Sequence, residues 1–334
     1  MTGRIVRPVP LGVGLALAVG LAFTAAVTLG SASLGADRLL GALVGRGDPT
    51  AETIVWALRV PRAVLAVAVG GGLAVVGVAM QALVRNPLAD PFILGASSGA
   101  SAGASLFFLG FVPAVVSRGL SMPLAAALAA WGAVALVFAV ARQGPRLDTT
   151  RLLLAGVAMS ALFGAITAYV TYASPEPDKL RAVLFWLLGS LAGARAGTVG
   201  APLAAALAAL VILGLAARPL DALTLGEEPA AVLGVPVERF KRAVLALASL
   251  VTGVLVAFSG VIGFVGLIVP HAVRLAVGGR HRALVPLAFL GGAAFLLVAD
   301  LGARVALDGQ ELPVGVLTAL CGVPFFLWLL RRGG

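Results

Sequence analysis

The sequence predicts an all-α polytopic membrane protein with about ten transmembrane helices and both termini on the inner side. Three observations carry that expectation. Hydrophobic residues make up 60% of the 334-residue chain and charged residues only 11%. With a mean hydropathy of +1.08, there is too little polar surface to cover a water-soluble globule. The apolar runs approach or exceed the roughly 20 residues a helix needs to cross a bilayer. They are apolar on every face, whereas a β-barrel needs short segments that alternate in polarity. Threading the runs from an inner N-terminus puts 15 of the 24 lysines and arginines inside with six acids, an excess of nine positive charges there against one outside. That asymmetry is the positive-inside rule. The net charge of +10 therefore reports topology and gives no sign of nucleic-acid binding.

The first run, Leu11–Ser33, follows the basic lead MTGRIVRPVP. Ser31–Ser33 mimics a signal-peptide cleavage site, but the apolar core exceeds the roughly 7–15 residues of such a peptide, so it reads as a retained span. The second, Ala63–Val84, ends at RNPLADP. Asn86 before Pro87 disfavours helix. Asp90 can accept the free amide hydrogens of a new first turn, where Pro91 loses nothing. Asn86, Pro87, Asp90 and Pro91 thus form a tight inner turn. In the third run, Pro91–Gly110, Gly95, Gly99 and Gly103 share one face and invite close helix approach. Leu120–Ala141, Leu152–Ala173, Gly197–Ala217, Ala243–Ile262, Gly263–Val277, Ala283–Ala303 and Pro313–Leu330 complete the set. Gly263–Val277 is the weakest, interrupted by Pro270, His271 and Arg274. Leu180–Leu191 is about half a span long and should lie at the outer surface or dip in and return.

The inner loop Arg218–Arg242 contains LGEEPAAVLGVP. Glu227 and Glu228 suit the positive end of a helix dipole and Gly234 its stop. A cap at Thr224 would put Pro229 too deep, which moves the helix start to Gly226. Gly70–Gly103 and Thr252–Gly279 echo one another as span, proline-marked break and short small-residue helix, as in transporters built from two related halves.

Function classes narrow next. No G-x-x-x-x-G-K-[ST] stretch occurs, and Lys179 and Lys241 are the only lysines, so the chain cannot hydrolyse ATP by the P-loop route. No catalytic residues are assigned. An ion-coupled secondary transporter is the competing class, but it needs ionisable or unwound polar groups near mid-membrane, and the spans have almost none. Asp300 reads as the helix-face partner of Arg304. One cysteine, Cys321, and the histidines His271 and His281 do not make a metal-ligand set. His271, after Pro270, is expected to hydrogen-bond backbone at a helix break.

The stretch WALRVPRAVLAVAVGGGLAVVGVAMQALVRNPLADPFILGASSGASAGA resembles the permease family of type II ABC importers for ferric siderophores, haem or vitamin B12. So do FWLLGSLAGA, LGEEPAAVLGVP, SGVIGFVGLIVPHAVRLAVGGRHRALVPL, ADLGARV and ELPVGVLTALCGVPFFLWLLRR, in the family's order. The resemblance implies one transmembrane permease domain over residues 1–334, located in the cytoplasmic (inner) membrane and paired with a second copy. Two ATP-binding cassette subunits carry ATP and Mg, and a soluble binding protein delivers the substrate. It makes Leu225, Gly226, Glu227, Glu228, Leu233 and Gly234 the helix that couples to the ATPase, although Pro229 departs from the family pattern. It gives Leu180–Leu191 to the outer mouth of the path, where a gate and an interfacial anchor are both open readings for Phe185 and Trp186. Tyr169 and Tyr172 fit either a bulky ligand at that mouth or the aromatic belt. Arg59, Arg62 and Arg304 fit either lipid headgroups or, by resemblance, acidic residues of the binding protein.

Overall fold

The computed structural model describes residues 6–30, 34–143, 146–174, 176–307 and 310–332. Ser31–Ser33, where the cleavage-site resemblance falls, lies outside the described residues. The chain is helical almost throughout. α1 (Pro8–Thr28) is the first span, and α2 (Ala36–Leu43) and α3 (Pro49–Glu52) form the outer loop after it. Asp48 caps α3 by accepting the Ala51 amide at 2.8 Å. A π-type turn, Thr53–Arg59, then runs without interruption into α4 (Val60–Val84). Pro61 has no N–H to offer the preceding turn, which suits the widened ladder. Pro49–Val84 is thus one 36-residue helical rod, longer at its outer end than the run Ala63–Val84 indicates.

α4 is the axis of the molecule, with nearly every residue from Ala63 to Leu83 buried. Four helices pack on it: α10 (Gly200–Leu215), α13 (Val237–Ser259), α14 (Val265–Val277) and α15 (His281–Val305). Where α4 crosses α15, Gly70 and Gly292 each lie against the other's carbonyl, so a Cβ on either would overlap backbone. Small residues permit that approach, and in lipid such packing is the main source of helix association.

α4 ends at Val84, with Arg85 in the left-handed conformation (φ 54°). The sequence places an α-helix directly after Asp90, and here the structure differs. Asp90 caps a 3₁₀ turn, Pro91–Leu94, and α5 (Ala96–Phe108) begins only after Gly95, which is left-handed at φ 76°. α5 has 13 residues, about 20 Å of rise against the roughly 30 Å of a bilayer core. Gly99 and Gly103 do face a neighbour, the Ala125–Ala133 stretch of α7 (Met122–Ala141), after the outer turn α6 (Ala114–Ser117). A two-residue antiparallel strand pair, Arg142–Gln143 with Arg146–Leu147, leads into α8 (Thr149–Tyr172). α9 (Pro177–Leu187) is the short outer helix expected over 180–191.

α10 bends by 65° into α11 (Ala217–Thr224), followed by α12 (Glu227–Val232). α13 ends at Gly260, and α14 starts after the left-handed Phe264, also with 13 residues. The internal echo holds in part: a long buried helix, a break closed by a left-handed residue and a 13-residue helix occur twice, but no proline marks the second break, since Pro270 lies inside α14. His271 departs from its expectation. Pro270 stays inside α14 rather than at a helix break, and both ring nitrogens are buried without a partner among the described residues. α16 (Val314–Arg332) closes the chain with Pro324 in its interior.

Among the described residues, six helices are long and apolar enough to cross a membrane, seven with the bent α10–α11 pair. The three other expected spans are α5, α14 and α16, and the first two are short because buried irregular backbone supplies the rest of their depth.

Candidate functional site

Three regions concentrate the polar chemistry. The first is on the inner side. Gly226 (φ 123°) caps α12, Glu227 and Glu228 occupy its first turn, and the left-handed Gly234 (φ 85°) follows its end. Thr224 does not cap it, since its hydroxyl donates to the Asp221 carbonyl at 2.7 Å. One face of α12 is buried through Ala230 against Val235, Val237 and Phe240, while Leu225, Val232 and Leu233 stand exposed. Two links tie this segment to the bundle. Lys241 on α13, its side chain only 3% exposed, reaches Glu227 Oε1 at 2.9 Å. Asp221 on α11 accepts the His281 backbone N–H at 2.9 Å and faces its Nδ1 at 2.6 Å, at the start of α15. The Arg85 guanidinium lies beside Gly226, joining the turn after α4 to the same place. Exposed Asn86 and Pro87 complete that turn.

Asp90 closes the same turn. Its carboxylate accepts the Phe92 amide at 2.8 Å. Burial pushes its pKa up to about 6, against the opposing effect of that hydrogen bond. The folded value lies above the unfolded one, so the folded state holds the proton longer. Stability is then expected to fall as pH rises from about 4 to 6 and to level off above that. Asp90→Asn, which keeps an oxygen for the cap, should flatten this slope. Melting temperatures in detergent across pH 4–8 check it, and an unchanged slope would refute the assignment.

The second region is the outer end of α4 and α15, lining a cavity of about 240 Å³. Read from sequence, Arg59, Arg62 and Arg304 point outward; the structure turns them to the interior. Arg59 donates to the carbonyls of Val27 and Thr28 at 3.0 and 2.7 Å. Arg304 donates to those of Ala26 and Leu29 at 3.0 and 3.3 Å. Both guanidiniums serve the last turn of α1, whose carbonyls have no intrahelical partner and carry the negative end of its dipole. Arg62 spans Asp300, at 2.9 Å, and Glu311, at 2.7 Å. The expected Asp300–Arg304 contact exists at 3.2 Å, but the principal partner of Asp300 is Arg62. Sequence reading missed Glu311 and Arg195, which also line this cavity.

The third is an open groove of about 600 Å³ between α5, α8 and α9, lined by Ser98, Ser101, Thr167, Thr171, Tyr172 and Leu187 among others. Of the expected mouth residues, Tyr172 lines it. Tyr169 and Phe185 are exposed beside it, and Trp186 turns inward against the cluster formed by α5, α7 and α13.

A bundle of spans threaded with short broken helices, carrying a small inner helix and a polar groove, defines a transmembrane permease. The chain belongs to the FecCD transport family, whose pattern matches residues 17–332. It is a multi-pass protein of the cytoplasmic (inner) membrane and a transport subunit, not a catalytic enzyme. It is similar to the cobalamin import system permease protein BtuC of Halobacterium salinarum, 46% identical over 84% of this chain and 74% of that one. It is also similar to the hemin transport system permease protein HmuU of Yersinia pestis, 42% identical over 99% and 98%. A metal-chelate type ABC transporter solved in an inward-facing conformation superimposes with a TM-score of 0.85, 32% identity and coverage of 98% and 100%.

Proposed function

We propose that this chain is the membrane permease of an ATP-driven importer that carries an iron chelate, haem or a cobalamin into the cytoplasm. In this reading two copies form the path, two ATPase subunits bind below, and a soluble protein delivers cargo from outside. The observation that carries it is α12 with its flanks: a short helix on the positive side, anchored through Ala230, with Val232 and the flanking Leu225 and Leu233 exposed. An apolar exposed helix beside acidic residues suits seating in a partner's cleft. The relatives named above are permeases of import systems, and the superimposed structure is an ABC transporter. Against the ion-coupled alternative, the acids of α15 and of the segment before α16, Asp300 and Glu311, are engaged by Arg62 at the outer end. A delivery protein would sit over the outer cavity and meet Arg195, the exposed guanidinium of its wall. Arg59 and Arg304 would act one step back, by holding α1.

Replacing Leu225–Gly234 with a Gly/Ser linker tests the reading. Co-purification of the ATPase and transport-coupled ATP hydrolysis should both be lost while the permease still inserts. Survival of both would refute it.

A further inference from the structure

We propose that the groove between α5, α8 and α9 selects cargo by hydrogen-bond polarity, favouring a molecule whose rim donates N–H or O–H groups over one whose rim carries carboxylates. The proposal rests on the importer reading and narrows its cargo.

Among the described residues that line it the groove holds no Asp, Glu, Lys, Arg or His, so its polarity comes from hydroxyls. A hydroxyl has one hydrogen and two lone pairs. Three of the five hydroxyls have their hydrogen committed to the backbone of their own segment. Ser98 Oγ donates to the Gly95 carbonyl at 3.0 Å, Ser101 Oγ to Ser97 at 2.9 Å and Thr167 Oγ1 to Phe163 at 2.9 Å. Such back-bonding is the usual choice of Ser and Thr on a helix. Its consequence here is directional: what Ser98, Ser101 and Thr167 turn toward the groove is lone pairs. Thr171 differs, because its Oγ1 is buried and has no partner among the described residues. That hydroxyl is out of reach of cargo, whereas Tyr172, 91% exposed at the outer end of α8, can donate or accept. One donor, Tyr172, therefore stands at the mouth and acceptors line the interior.

A carboxylate entering this groove gives up its water and meets lone pairs with no cation to compensate, a costly exchange. A rim of carboxamides or hydroxyls meets matched acceptors instead. Among metal-holding macrocycles, a corrinoid is fringed by carboxamides and a porphyrin such as haem by two propionates. The groove thus fits the corrinoid type, or a chelate with amide or hydroxyl edges, and gives no partner to the propionates. The remaining walls, among them Leu187, supply apolar contact for the body of a macrocycle.

The test uses the complete importer, with its own ATPase and binding protein, in proteoliposomes supplied with cyanocobalamin or with haemin. ATP-dependent uptake of cyanocobalamin should exceed that of haemin. The combined variant Ser98→Ala, Ser101→Ala, Thr167→Val should lower cyanocobalamin uptake about five- to tenfold, the loss expected for one to two net hydrogen bonds. Binding-protein-stimulated ATP hydrolysis should persist. Thr167→Val alone, which keeps the shape, should show part of the loss and Thr167→Ser should restore it, which separates recognition from misfolding. Haemin uptake equal to or above that of cyanocobalamin, or full uptake by the combined variant, would overturn the polarity rule while leaving the importer intact. Absence of ATP-dependent cyanocobalamin uptake would likewise overturn the rule, and only the further loss of binding-protein-stimulated ATP hydrolysis would overturn the importer reading itself.

Discussion

Arg62→Ala is expected to destabilise the fold by about 3–5 kcal/mol, the usual cost of removing one partner from a buried ion pair. Arg62 holds two acids at once, Asp300 at 2.9 Å and Glu311 at 2.7 Å, and the Asp300 side chain is only 2% exposed. Alanine would leave Asp300 with Arg304 alone, at 3.2 Å, and Arg304 is already committed to the end of α1. The damage should spread because the cluster joins α4, α15, α1 and the loop before α16. Arg62→Lys should recover little, since one ammonium cannot reproduce the planar fork that serves two carboxylates. Adding Asp300→Asn to Arg62→Ala should recover more, by removing the uncompensated charge. The measurement is the melting temperature and the monodisperse yield of detergent-solubilised protein. An Arg62→Ala protein as stable as the parent would show that the cluster is incidental.

That cluster also marks where sequence reading stops. Apolar length and proline punctuation located the helices, the end of α4 at Val84 and the limits of α12 between Gly226 and Gly234, because those signals are local. They overestimated α5 and α14, since a run of small apolar residues has the same composition whether it is helix or buried irregular backbone. Gly95 and Phe264, the two left-handed residues that start these helices, show the difficulty: the glycine is a recognisable breaker, the phenylalanine is not. The arginines were misplaced for a different reason. Arg59 and Arg304 bond carbonyls of α1 that are about 30 and 280 residues away in the chain, and a helix end has no side-chain signature to pair with. The Arg62–Asp300 pair, 238 residues apart, is equally non-local. Only the i,i+4 contact of Asp300 with Arg304 was open to inspection. The groove was legible in part through Tyr172, but the inward turn of Trp186 depends on its packing against the cluster from α5, α7 and α13, which periodicity over 11 residues cannot fix.

Lys241→Met should uncouple the permease while leaving it folded. Lys241 is buried, and its ammonium bonds Glu227 at 2.9 Å and lies 3.8 Å from Glu238. Methionine fills the same volume, and Glu227 is 43% exposed, so it returns to water at small cost. What is lost is the ionic attachment of α12 to α13, leaving only the apolar contact of Ala230 with Val237 and Phe240. If α12 seats in the ATPase, that ion pair carries the ATPase's displacement into a membrane helix running 23 residues to the outer-half break at Gly260. The second attachment, Asp221 with His281, should hold α11 against α15 and keep α12 near its place. The expected result is therefore a transport rate lower by about tenfold, equivalent to roughly 1.4 kcal/mol of lost coupling. Melting temperature and ATPase co-purification should stay close to the parent. Reversing the pair, Lys241→Glu with Glu227→Lys, should restore part of the rate; Lys241→Glu alone should not, because it sets a third acid beside Glu227 and Glu238. The decisive comparison is the number of ATP molecules hydrolysed per cargo molecule moved in proteoliposomes. Loose attachment raises that ratio, whereas a merely structural role lowers hydrolysis and transport together and leaves the ratio unchanged.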